Sequence, residues 1–118
     1  MSTDLKSLTK LDGFIGACLV DSDSGMMLTA EEGNGGLDLE VAGAANMEVV
    51  RAKNAAMKAL GLEDAIEDIL ISLGTQIHLI RPLASNPDIF IYVALDRAKA
   101  NLGMARLQVK TTEGTIKV

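Results

Sequence analysis

Hydrophobic positions recur along this chain in two periods, and the places where the period changes mark where elements begin and end. Leu5, Leu8 and Leu11 follow a polar start at helical spacing, with Ser2, Thr3 and Asp4 as capping candidates, and predict a short leading helix. A compact apolar run at 14–20 breaks at Asp21-Ser22-Asp23-Ser24-Gly25 and resumes at 26–30. This is the pattern of a β-hairpin with Gly25 at the turn position that tolerates positive φ. After the breaker cluster Glu32-Gly33-Asn34-Gly35-Gly36, residues 38–60 carry no proline, the interior Gly43 and many strong helix formers, which predicts one long helix stopped by Gly61 at its C′ position. β-rich runs at 65–73, 77–81 and 89–95 predict a meander of three strands. Asp96 is placed to cap a last helix over 97–110, and 111–118 reads as a polar tail.

Spaced at about 100° per residue, the long helix is apolar on two sides. Leu37, Val41, Ala45, Ala52, Ala56, Ala59 and Leu60, with Val49 beside them, share a broad alanine-rich face suited to close approach to a sheet, and this face is expected in the core. Glu48 falls inside the same arc. A second row, Met47, Val50, Asn54 and Met57, lies roughly opposite part of the first. Two apolar sides need two partners, so the second row is expected to meet another subunit, with Asn54 fixing register as polar residues do at coiled-coil core positions. Scattered surface methionines are the plainer reading of the same row. The last helix repeats the pattern, with Ala98, Leu102, Ala105 and Val109 on one side and Ala100, Met104 and Leu107 on another; the leading helix is expected to cover one of them.

Composition narrows what such a chain can do. A length of 118 residues makes one domain, and 48% hydrophobic residues can hold a core without disulfide or metal. Aromatic residues are only 3%, so that core is built from Ala, Val, Ile, Leu and Met. A net charge of −5 has the wrong sign for binding phosphate backbones, which argues against nucleic acid. The longest charge-free apolar stretch, 69–80, is interrupted by polar residues and predicts no membrane span. The start, Met1-Ser2-Thr3-Asp4, lacks the basic and apolar segments of a secretory signal, so a cytoplasmic location is expected.

The search for chemistry yields little. Cys18 sits in an apolar run and reads as a small buried thiol. His78, the single histidine, has no metal-ligating neighbour in sequence and is expected on the solvent face of a strand. Asp21, Asp23 and Glu32 fall at calcium-loop spacing, but Gly25 and Met26 stand where a ligand and the loop glycine belong, so no metal is expected. Gly33-Asn34-Gly35-Gly36 lacks the Lys-Ser/Thr of a phosphate-binding loop and reads as a connection. No Gly-x-Ser-x-Gly nucleophile motif occurs. Arg51, Arg81, Arg97 and Arg106 are spread over three elements and read as surface residues. Neither an enzyme nor a cofactor is expected.

The order of elements, Gly16-Ala17-Cys18-Leu19-Val20-Asp21 leading to the Gly25 hairpin, the alanine-rich central helix, and Asn101-Leu102-Gly103-Met104-Ala105-Arg106 in the last helix together resemble the roadblock (dynein light-chain) family over residues 4–110. The likeness is to its stand-alone prokaryotic members. The resemblance implies an α+β fold, a five-stranded antiparallel sheet with the long helix on one face and two shorter helices on the other. It implies a homodimer, or a heterodimer with a second chain of the type, formed by the long helix and third strand, here Met47, Val50, Asn54 and Met57 with Ile69 and Ile71. The family's recurring function, binding Ras-like small GTPases as scaffold or regulator, is the implied activity; exposed Glu40, Arg51 and Lys58 are candidate partner contacts. A small-ligand sensor of profilin-like or PAS-like architecture is the alternative, and it would need a pocket that an aromatic-poor chain is ill supplied to line.

Overall fold

The computed structural model describes residues 3–33 and 36–118, so Met1, Ser2, Asn34 and Gly35 lie outside the described residues. Five strands, β1 (Phe14–Asp21), β2 (Met26–Glu32), β3 (Ile69–Ser72), β4 (Gln76–Pro82) and β5 (Ile89–Asp96), form one sheet in the order β2-β1-β5-β4-β3. Every pairing is antiparallel. Two α-helices, α1 (Leu39–Ala59) and α2 (Leu102–Glu113), complete the α+β fold. The expected leading helix is a single 3-10 turn, Lys6–Lys10, whose Leu8 is buried. It has no side-chain cap, although Asp4 accepts a hydrogen bond from the Lys6 amide at 2.8 Å. One long helix and one shorter one therefore flank the sheet, rather than one long and two shorter helices.

Side chains alternate across the central strands, so the sheet is apolar on both faces. On one face Ala17, Leu19, Leu79, Ile91, Val93 and Leu95 pack beneath Leu5 and Leu8 of the leading segment and Ala105 and Val109 of α2. On the other, Cys18, Val20, Ile80, Phe90, Tyr92 and Ala94 pack beneath Leu39 and Val50 of α1. This double burial explains why β5 reads as an unbroken apolar run instead of an alternating one.

The predicted turns and stops hold, with shifts at the ends. Gly25 (φ +74°) and Gly61 (φ +71°) take the left-handed conformations expected after β1 and α1. Asp38 caps α1 by accepting from the Val41 amide. The last helix starts five residues later than expected. Asn101, not Asp96, is its cap and accepts from the Met104 amide at 3.1 Å, while Asp96 accepts from Ala98 within a turn. The supposed polar tail is largely structured: α2 continues to Glu113, and Thr112 and Ile116 are buried. Strand β3 covers only four residues of the predicted 65–73. Among the described residues no helix is long and apolar enough to cross a membrane.

Candidate partner-binding surface

Helix α1 presents to the sheet the row that its sequence pattern assigned to a partner. Leu39, Gly43, Val50 and Met57 are buried, and Met47 packs against the same cluster. The alanine-rich row expected in the core faces outward: Val41 and Leu60 are 63% and 70% exposed, and Ala45, Ala52, Ala56 and Ala59 are exposed with Glu48 among them. Leu37 and Val49 are half-buried at the borders. The two faces are thus exchanged. Val, Leu and Met remove several times more apolar area from water than Ala does, so the larger side chains take the core, and Gly43 lets the helix backbone down onto Val20 and Cys18. Val50 is consequently covered by the sheet while α1 is docked, Met57 keeps only a small edge exposed, and Asn54 stands in the open.

The helix covers β1 and β2 and leaves the far side of the same sheet face less protected. There Val49, Lys53 and Met57 of α1, Ile66 from the connection, and Ile69 and Ile71 of β3 line an open apolar groove of about 490 Å³. Ile69 and Ile71, on one face of β3, are only half-buried. Strand β3 is also an edge: one side pairs with β4, and no other described strand pairs with the second side. Such an edge beside a half-covered apolar face can accept another strand and another helix. Of the six residues expected at a subunit seam, Met57, Ile69 and Ile71 line this groove, whereas Met47 and Val50 lie under the helix and Asn54 borders a neighbouring hollow.

Glu40, Arg51 and Lys58 are all exposed and share one stripe of α1. Arg51 is already engaged: its Nη2 donates to the Ser22 carbonyl at 2.8 Å and its Nη1 lies 3.5 Å from Glu48, so it ties α1 to the β1–β2 turn. Arg81 is not the solvated surface residue that its spacing suggested, whereas Arg106 is exposed as expected but paired. Arg81 is 8% exposed; its Nε donates to Glu113 at 3.0 Å and its Nη1 lies 4.0 Å from Asp68. Arg106 grips the same Asp68 through two hydrogen bonds, 3.0 and 3.1 Å long. These four residues join α2, β4 and the start of β3, a set separated by up to 45 positions in sequence (113 − 68) that no local pattern reveals. Arg97 donates to the Leu73 carbonyl and holds the β3–β4 turn.

His78 and Tyr92 form the polar feature of the α1-side face. His78 pairs with Ile71 across β3 and with Ala94 across β5, so it stands beside the groove, half-buried rather than on an open solvent face. Its Nε2 lies 2.8 Å from Gln76 Oε1, an acceptor, so Nε2 carries the proton and Nδ1 accepts from the Tyr92 hydroxyl at 3.2 Å. Burial lowers the His78 pKa. Burial, with a smaller effect of Cys18, pushes the Tyr92 phenol up to about 12. Cys18 is wholly buried and its thiol is pushed up to about 12 by burial, which makes it the inert core residue expected.

No protein-family model matches the chain, and no curated protein matches it significantly. Solved structures do match. Myxococcus xanthus MglB is 18% identical, with 96% of this chain and 93% of that one covered and a TM-score of 0.77. A Roadblock/LC7 domain from Streptomyces avermitilis is 10% identical over 93% and 88% of the two chains, with a TM-score of 0.79. An MglB solved in a tetrameric arrangement is 19% identical over 92% and 79%, with a TM-score of 0.78. Sequence identity to these neighbours is low, but they match this chain over most of its length at TM-scores of 0.77 to 0.79, and the chain has the roadblock/LC7 fold.

Proposed function

We propose that this chain is a roadblock-type interaction module, not itself an enzyme, that dimerises and binds a Ras-like small GTPase in the cytoplasm as scaffold or regulator. The observation that carries the reading is the apolar groove between α1 and the unpaired edge of β3, present on a roadblock fold. A second copy, or another chain of the same type, placed across a two-fold axis at β3 would extend the sheet and bring its own α1 over Ile69, Ile71 and Val49. The GTPase is placed on the outer side of α1, where Glu40 and Lys58 are exposed.

Light scattering at micromolar concentration should give the mass of a dimer. Ile71→Asp should halve that mass without altering the circular dichroism spectrum, because Ile71 is only half-buried within one chain. A wild-type monomer would sink the dimer. Binding is tested with a Ras-like GTPase from the same genome loaded with GDP or a non-hydrolysable GTP analogue, and equal, absent binding in both states would refute the partner class. The sensor alternative would rest on a polar trough of about 630 Å³ lined by Asp12, Glu32, Asp96 and Lys99. A metabolite that raises the melting temperature, with no response to GTPases, would favour it.

A further inference from the structure

His78 is placed where the proposed assembly would feel its protonation. It neighbours Ile71 on the half-covered sheet face, and both ring nitrogens are already committed: Nε2 donates to Gln76 and Nδ1 accepts from Tyr92. Tyr92 has no exposure at all, so its hydroxyl has no route to water. A second proton must go to Nδ1. The Tyr92 oxygen would then have to accept, and its own hydrogen would be left without its partner in an enclosed site, a state that costs free energy. In a separate chain, water reaching the half-exposed His78 ring can at least solvate the added charge. A second copy covering Ile71 removes that water.

The groups around the ring do not offset the charge. Its own strand presents Gln76; β3 presents Ile71; β5 presents Tyr92 and Ala94, with Asp96 opposite Gln76 and already accepting from the Ala98 amide. Around the groove stand Lys53 from α1 and Asp64 and Asp68 from the connection, and Asp68 is taken by Arg106 and Arg81. None of the hydrogen bonds to the His78 ring comes from a carboxylate.

We infer that association of two copies of this chain is coupled to proton release at His78, so that mild acid dissociates the assembly and neutral pH favours it. The inference rests on the dimer reading and adds its regulation. Because the neutral form is the one buried, association is strongest above the pKa of His78 in the separate chain, which burial already holds below the ordinary 6.5, and weakens as pH falls through that lowered value.

The experiment is sedimentation or light scattering of the whole chain over a dilution series at about pH 7.5 and about pH 5.5, with the dimer dissociation constant expected to rise ~10-fold at the lower pH. His78→Gln keeps a hydrogen-bonding side chain without the titration and should show nearly the same constant at both. Should that variant fail to fold, wild type still decides. The chain has a single histidine, so its Hε1 proton resonance reports one titration, and that pKa should fall as protein concentration is raised through the dissociation constant. A dimer equally tight at both pH values, or a His78 pKa independent of concentration, overturns the coupling and leaves the dimer standing. A monomer at both pH values overturns the dimer reading and the coupling with it.

Discussion

Gly43 shows how closely α1 approaches the sheet. A Cβ there would lie 2.8 Å from Val20 Cγ2 and 3.5 Å from Cys18 Sγ. Val20 is β-branched and wholly buried, so it has little freedom to yield. Gly43→Ala gains about 1 kcal/mol in helix propensity but loses roughly 1–3 kcal/mol to overpacking, so a net destabilisation of ~1 kcal/mol is expected. Urea denaturation measures it, and a more stable variant would mean that α1 rides higher on the sheet than described. Glu113→Leu should cost about 2–4 kcal/mol by leaving the enclosed Arg81 guanidinium with only the more distant Asp68, while Arg81→Met combined with Glu113→Leu should recover most of it. Cys18 should react with a thiol reagent on the order of 100-fold more slowly in the native protein than in urea, because its thiolate is scarce and enclosed. His78 adds a pH dependence within one chain. Its lowered pKa means that the unfolded state binds the extra proton, so its contribution is complete above about 6.5 and is lost as pH falls. In dilute protein the wild-type urea midpoint should therefore drop more than that of His78→Gln between neutral pH and mild acid.

At the scale of elements, local signals located the ends well wherever a backbone reason was present. Asp38 and Gly61 bracket α1 because one supplies an acceptor for an orphan amide and the other a left-handed stop, both properties of single residues. Asp38→Ala should accordingly cost ~1 kcal/mol in thermal or chemical unfolding, with the loss confined to the α1 cap. The start of α2 differs from the expected one because Asp96 and Asn101 are both competent caps; Asp96 accepts from Ala98 in a tight turn, and strand β5 ends there. The burial phase of α1 was hidden for another reason. Periodicity shows that two apolar rows exist but not which one meets the sheet, and alanine is at home on either side of a helix. Glu48 within the alanine row is the residue that marks it as outward, since an unpaired carboxylate would not be buried there.

For the whole molecule, the most consequential surface is the one left unfinished. A single chain covers one sheet face with the leading segment and α2, and only part of the other with α1. The second apolar partner that the two-sided helix called for has a place in the Val49–Ile71 groove, to which the methionine row contributes Met57 alone. A substitution at the buried Met57 would damage the fold, whereas one at the half-buried Ile71 should separate the copies and spare it.

Element order, the two helix ends, the buried thiol and the strand count followed from the sequence because each depends on neighbours a few positions apart. The inward face of α1, the Arg81–Glu113–Asp68–Arg106 group, the structured C-terminus and the pairing of His78 with Tyr92 did not. Each depends on residues that strand pairing and helix docking bring together, from 13 positions apart for Asp68 and Arg81 (81 − 68) to 105 for Ser7 and Thr112, and only the assembled sheet sets that proximity.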